Sequence, residues 1–345
     1  MDRPPDLRWQ LAEERGPQGT LFEDVVERHI GRGEYRGLEF LHVNARRIIN
    51  EVPPASRVPF RYTINAYRGC THACTYCFAR PTHEFLGMNS GEDFERRIVV
   101  KINAVERLRA ELAPAKWSGD HIAMGTNTDP YQRCEGKYHL TRGIVGELAA
   151  ARNPFSILTK STLILRDLDL LAEAAKATDV RANFSIGTLD EEVWKLTEPG
   201  TPHPLRRVEA VAKLNEAGVQ CGVLVAPVLP GLSDGDDQLE AVVQACVEAG
   251  AVSVSAILLH LRPGVREHYL GWLAGARPGL VPLHEKQYVR SYAPKAKQEA
   301  LSRRISAFVT KHGGRAVPPR ETRPLRQETS ERSRARPLRQ MAFDV

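Results

Sequence analysis

Asn65-Ala66-Tyr67-Arg68-Gly69-Cys70-Thr71-His72-Ala73-Cys74-Thr75-Tyr76-Cys77-Phe78-Ala79-Arg80 is the stretch around which this chain is organised. Its three cysteines fall within eight positions, spaced C-x3-C-x2-C. Three thiols that close make a poor disulfide framework, because one sulfur is always left over. They make a good metal ligand set, since thiolates favour zinc, copper(I) and iron–sulfur clusters. A cluster usually takes four cysteines, so three leave one iron open to a small molecule. The alternative is a Cys3His zinc site that recruits His72 or His83, although zinc knots usually show paired C-x2-C units and no second pair is present. Three core cysteines fit less well, because Arg68, His72 and Arg80 make the neighbourhood polar.

Outside this stretch the composition is that of a soluble globular protein of one or two domains: 345 residues, 42% hydrophobic and 26% charged. No run approaches the ~18 apolar residues that span a bilayer, and Met1-Asp2-Arg3-Pro4-Pro5-Asp6 has no apolar signal core. A cytoplasmic protein without a membrane partner is expected. Six cysteines in a chain this long point to metal or catalytic use in a reducing compartment. Much of the +6 net charge is local: from Arg315 onward eight arginines face four acids, which leaves +4 in the tail.

The pattern divides the chain into four parts. Residues 1–59 read as an N-terminal extension with helices over Thr20 to Gly31 and Val43 to Ile49, closed by Pro53-Pro54. Residues 60–260 alternate strand and helix. The expected strands are Arg61 to Ala66, His121 to Met124, Phe155 to Leu158, Val180 to Ile186, Val219 to Val225 and Val252 to Leu258. Between them lie helices, the first a long amphipathic one over Gly91 to Leu112 with apolar residues at helical spacing. About six β/α units imply a parallel sheet with helices outside, fewer than the eight of a closed barrel. Residues 261–313, with a helix over Ala293 to Thr310, are expected to cover the open side. Residues 314–345 are Arg-, Pro- and Glu-rich, the composition of a disordered tail.

The cysteine stretch resembles the signature of the radical S-adenosylmethionine (SAM) superfamily, C-x3-C-x-aromatic-C, with Tyr76 in the aromatic position. N-A-Y-R-G-C-T-H-A-C-T-Y-C-F-A-R-P is similar in particular to the branch related to spore photoproduct lyase, often labelled DNA-repair-photolyase-like, and to an actinobacterial subgroup of it. The resemblance covers roughly Arg61 to Leu258. It implies an α/β fold with a partial (β/α)6 TIM-type barrel rather than a doubly wound sheet. It also implies one [4Fe–4S] cluster on Cys70, Cys74 and Cys77, S-adenosyl-L-methionine as cosubstrate, and a reductant such as flavodoxin or ferredoxin. The activity implied is reductive SAM cleavage to a 5′-deoxyadenosyl radical that abstracts hydrogen from a substrate, in a monomeric, lyase-like DNA-repair enzyme.

In β/α barrels the active site lies at the carboxyl ends of the strands, and polar loops follow five of the expected strands. They hold the three cysteines, Gly125 to Gln132, Thr159-Lys160-Ser161, Ser185 to Thr188 and Ala226 to Leu232. For SAM, Thr126, Asn127 and Thr128 supply acceptors for the amino group, Lys160 a cation for the carboxylate, and Ser185 a hydroxyl for the ribose. Tyr76 and Ala226-Pro227-Val228 offer surface for adenine. Where spore photoproduct lyase carries a hydrogen-donating cysteine on its second-strand loop, this chain has Thr126. That departure counts against thymine-dimer reversal by the same mechanism and leaves Cys134, eight residues on, as the candidate donor; a core cysteine is its bland reading. Cys221 and Cys246 read as structural. Asp129 before Pro130 reads as a turn residue, with a general base or a partner of a site residue as its alternative; Arg206 and Arg207 read as solvent-facing or capping residues, with contact of one of them to the SAM carboxylate as the alternative; and His260 faces the site if the barrel forms. DNA or RNA is the leading substrate class, by analogy and by the basic tail. The rival reading is a nucleic-acid-binding protein with a structural iron–sulfur or zinc site.

Overall fold

The computed structural model describes residues 22–53, 56, 58–113 and 117–315. The expected tail beyond residue 315 and the start of the first expected helix lie outside them. In chain order the strands are β1 (Phe22–Ile30), β2 (Glu39–Ala45), β3 (Ile49–Glu51), β4 (Tyr62–Ile64), β5 (Tyr67–Arg68), β6 (Arg97–Lys101), β7 (Ile122–Met124), β8 (Phe155–Thr159), β9 (Val180–Ser185), β10 (Gln220–Val228) and β11 (Val254–Leu258).

Seven strands form the main sheet in the order β11-β10-β9-β8-β7-β4-β3. β4, β7, β8, β9, β10 and β11 are mutually parallel, and β3 adds antiparallel at the edge beside β4. The six parallel strands follow one another in space as in sequence. A doubly wound sheet reverses its order at a switch point; this one does not, so the winding is that of a barrel. β3 and β11 do not pair, so the barrel is partial.

Burial explains the strands. β10 is buried along most of its length on both faces, as parallel strands with helices outside must be. The helix at Pro204–Glu216 starts on a proline, which loses no hydrogen bond there, and His203 Nδ1 accepts from Leu205 N at 3.2 Å. The helix at Asp236–Glu248 buries Leu239, Val242, Val243 and Cys246, one face of a 3.6-residue period. The helix at Lys295–Lys311 lays Leu301, Ile305 and Val309 into the main core and covers β11, which protects the open edge.

The N-terminal part differs from the helices its spacing predicts. Residues 22–30 are strand β1, and Val43 to Ile49 is divided between the end of β2 and the start of β3. The Gly91 to Leu112 helix is also broken: helices at Glu92–Arg96 and Ala104–Glu111 flank strand β6. β1, β2, β6 and β5 form a second sheet in that order. Ile98, Val99 and Val100 fit a pleated surface, and their pairing with β2 and β5 outweighs the local helical spacing. One face of this sheet (Phe40, Ile98, Val100) joins the main core; the other (Leu41, Val43, Val99) packs on Leu86 and Met88, just past the cysteine loop.

Candidate active site at the carboxyl ends of the barrel strands

The cysteine loop leaves the sheet after β4 and β5 and is held from several directions. Gly69, at φ +80°, turns the chain, and a Cβ there would meet the Phe94 carbonyl oxygen at 2.8 Å. Cys70 N donates to that carbonyl at 2.9 Å, and Thr75 N to the Thr197 carbonyl at 3.0 Å. Gly200 N donates to the His72 carbonyl at 3.0 Å, while a Cβ on Gly200 would lie 2.1 Å from Thr71 O. Only glycine lets the loop at residues 199–202 approach so closely. Arg80 is fully buried beneath the loop. Its guanidinium donates to the carbonyls of Cys74 (2.8 Å), Ser90 (3.1 Å) and Gly91 (3.2 Å), pairs with Glu95 and faces the Phe94 ring. A buried charge paired and bonded in this way fixes backbone position rather than adding stability.

All three thiols are free; those of Cys70 and Cys74 are buried and that of Cys77 is half-buried. Burial pushes the Cys74 thiol up to about 12, drives Cys70 well above its ordinary value and raises Cys77. Binding to a metal centre must therefore displace protons from them. His72 Nδ1 faces Asp129 at 3.4 Å; His83 Nε2 lies 2.9 Å from the Arg97 carbonyl oxygen, and its Nδ1 is buried without a hydrogen-bond partner.

Beside the loop, parallel strands deliver the remaining site residues to the same edge of the sheet. Lys160, after β8, donates from Nζ to Ser185 Oγ (2.7 Å) and Glu198 Oε1 (3.0 Å), and its ammonium lies 5.6 Å from the Tyr76 ring centroid. Ser185 Oγ in turn donates to the Ala226 carbonyl at 2.7 Å. The Tyr76 hydroxyl donates to Glu198, and Arg207 pairs with Glu198 at 2.6 Å while bonding the Ser185 carbonyl at 3.1 Å. Burial alone would raise the Glu198 pKa, but Arg207 and then Lys160 outweigh it and hold the carboxyl far below the ordinary range.

Asp129 ties two loops together. Its carboxylate accepts from Tyr131 N (2.9 Å), the Thr159 hydroxyl (2.7 Å) and Lys160 N (2.7 Å). Burial opposes its ionisation, yet His72, Thr159 and the Lys160 N–H together depress its pKa. Its part is thus larger than the turn expected of an Asp before proline: it sets the backbone from which Lys160 projects.

Other expectations resolve case by case. Asn65 bonds Thr126 Oγ1 (3.2 Å) and accepts from Asn127 N (3.1 Å), so both stand at the β7 end as expected. Thr128 is buried, its hydroxyl donating to the Gly69 carbonyl at 2.6 Å and accepting from Gln132 Nε2 at 2.8 Å; it braces the cysteine loop. Tyr76 belongs to a buried apolar cluster with Leu229, Leu261 and Tyr269, and its ring also faces the Lys160 ammonium. Cys134 is fully buried in the main core and burial drives its thiol well above its ordinary value; this is core packing, not the placement of a group that meets a substrate. Cys221 and Cys246 are core residues as expected. Arg207 is buried, not solvent-facing, whereas Arg206 is exposed beside Glu209. His260 is half-buried, its ring stacked on Tyr292 and near Phe78. Sequence reading missed Glu198, Asn65, Gln132 and the buried role of Arg80. None has a periodic signature; Glu198 sits in a Glu-Pro-Gly-Thr-Pro turn that reads as an ordinary loop.

A three-cysteine loop beside a cation and hydroxyl cradle, on an open barrel of six parallel strands, defines a class. The radical SAM superfamily pattern matches residues 64–244, and the chain belongs to that superfamily, whose members bind a [4Fe–4S] cluster and SAM. An uncharacterized protein of Mycobacterium tuberculosis (strain ATCC 25618 / H37Rv) is 44% identical over 286 residues, 83% of this chain and 84% of that protein. A radical SAM Nalpha-GlyT isomerase of Pseudomonas phage M6 is 25% identical over 171 residues, 49% of this chain and 33% of that one. Among solved structures, a spore photoproduct lyase mutant with bound AdoMet and dinucleoside spore photoproduct superposes with a TM-score of 0.59 at 17% identity, covering 80% of each chain. That likeness is one of fold.

Proposed function

We propose that this chain is a radical SAM enzyme that holds one [4Fe–4S] cluster on Cys70, Cys74 and Cys77 and acts on nucleic acid. The observation that carries the reading is the meeting of the cysteine loop with Lys160, Ser185 and Glu198 at one end of the barrel. Reduced cluster and SAM together supply a 5′-deoxyadenosyl radical, the cofactor's chemistry rather than the protein's. This chain's residues bind and orient. Lys160 presents its ammonium to the SAM carboxylate and Ser185 its hydroxyl to the ribose. Thr126 and Asn127, held by Asn65, accept from the amino group. Thr128, Gln132 and Arg80 hold the cysteine loop in register. Cys134 takes no part in hydrogen return, and a photoproduct-lyase-like outcome then needs a different donor.

Nucleic acid as substrate is supported by the bound dinucleoside of the spore photoproduct lyase structure and by the Arg-rich sequence beyond Arg315. The reading includes a flavodoxin- or ferredoxin-type reductant, a cytoplasmic monomer, and the division at residues 59, 260 and 313. Among the described residues no helix is long and apolar enough to cross a membrane.

The test is anaerobic. Reconstituted, dithionite-reduced protein given SAM should release methionine and 5′-deoxyadenosine, measured by mass spectrometry; no 5′-deoxyadenosine from a cluster-loaded sample would defeat the enzyme reading. Full-length protein should also bind DNA or RNA at low salt. Truncation after Gly314 should weaken binding and flatten its log–log salt slope by nearly one unit for each phosphate the tail neutralises. Undetectable binding would turn the substrate toward a small molecule or a protein.

A further inference from the structure

The four-stranded sheet carries two histidines and a carboxylate that have no part in the site above. β1 and β2 pair antiparallel, with Glu27 opposite His42 and His29 opposite Phe40. The two-residue period of a strand puts Glu27 and His29 on one face, and the cross-strand position brings His42 beside them. Among the described residues, this is the one group of three or more His, Cys, Asp or Glu side chains whose ligand atoms all lie within 4.8 Å of one another. The two imidazole rings are 4.2 Å apart between centroids.

One ligand atom of the group lacks a hydrogen-bond partner. His29 Nε2 lies 2.8 Å from Glu27 Oε2, yet it is closed to solvent and makes no hydrogen bond. A nitrogen and an oxygen therefore face each other with no N–H aimed between them. Ligand atoms on a single zinc-like ion, each ~2.0–2.2 Å from it, stand ~3 Å apart, so one cation between them answers both. His42 Nε2 lies 2.8 Å from the Tyr138 hydroxyl. A hydrogen bond that orients the ring is the support metal-binding imidazoles ordinarily have. The opposing feature is the Lys137 ammonium, 5.2 Å from the Tyr138 ring centroid; at His42 its charge and that of the Glu27 carboxylate act in opposite directions.

We propose that Glu27, His29 and His42 bind one divalent first-row metal ion that fastens strand β1 to β2. Two imidazoles and one carboxylate suit zinc, with water completing the coordination. Glu27 is exposed, so the ion exchanges with solvent on that side. The proposal does not depend on the chemistry at the barrel mouth.

The test uses cluster-loaded protein, so that the cysteine thiols are occupied, and titrates Zn2+ by calorimetry under anaerobic conditions. One equivalent should bind, and the melting temperature should rise with Zn2+ concentration. His29→Ala and His42→Ala should each weaken binding at least tenfold and remove the thermal shift, with iron content and 5′-deoxyadenosine release unchanged. Glu27→Gln, on the exposed side, keeps the test open if a histidine variant fails to fold, and should also bind more weakly. The apoprotein of a Cys70→Ala/Cys74→Ala/Cys77→Ala variant should retain the equivalent. No saturable binding, full affinity in all three ligand variants, or loss of the site in the triple-cysteine variant would each overturn the assignment.

Discussion

Replacing Glu198 with alanine is the sharpest perturbation the structure suggests. The carboxylate is nearly inaccessible and accepts from Lys160, Tyr76 and Arg207; Arg207 keeps 1% of its side-chain exposure and Lys160 14%. Removing one partner of a buried pair costs ~3–5 kcal/mol, because the other charge is left uncompensated. Arg207 retains the carbonyls of Ser185 (3.1 Å) and Pro202 (2.9 Å), so a loss near the lower end, about 3 kcal/mol, is expected. Urea unfolding followed by circular dichroism measures it. Adding Arg207→Met removes the stranded charge, and the double variant should be more stable than the sum of the single losses by ~1.5 kcal/mol or more. The pH dependence has a definite sign. The folded Glu198 pKa is depressed below its ordinary value of 4.5, so its contribution is complete above that value and is lost as pH falls through the folded pKa. Wild-type stability should therefore decline below about pH 4.5 more steeply than that of Glu198→Gln. A loss in Glu198→Ala of less than ~1 kcal/mol, or strict additivity in the double variant, would refute the reasoning.

Three further outcomes are expected. Anaerobically reconstituted protein should carry about four irons per chain, and alanine at Cys70, Cys74 or Cys77 should abolish the cluster absorbance; zinc instead of iron in anaerobically purified native protein would reject the cluster. Lys160→Ala should weaken SAM binding by roughly ten- to a hundredfold, the worth of a charge-assisted hydrogen bond of ~1.5–3 kcal/mol; unchanged affinity by equilibrium dialysis would place the carboxylate contact elsewhere. Gly200→Ala sets a methyl 2.1 Å from Thr71 O, so it should displace the cysteine loop, destabilise by ~1–3 kcal/mol and lower the iron content. A variant with wild-type melting and iron would show that the loop at residues 199–202 yields easily.

Much of the site could be read along the chain because its markers are local. Three cysteines at C-x3-C-x2-C need no fold to stand out as a candidate ligand set. Strand–helix alternation from Arg61 onward implied the parallel sheet, and its direction placed Thr126, Asn127, Lys160 and Ser185 at one edge, because parallel strands all end on the same side. What local pattern could not settle was decided by pairing and burial. The run at Arg97–Lys101 has helical spacing on both sides, yet partners on β2 and β5 made it a strand. Cys134 looked available on a loop until packing buried it. Glu198 and Lys160, 38 positions apart, meet only because β8 and the loop before Pro204–Glu216 end at the same mouth. A carboxylate acquires such a role from the cations the fold places around it, and no spacing rule records that.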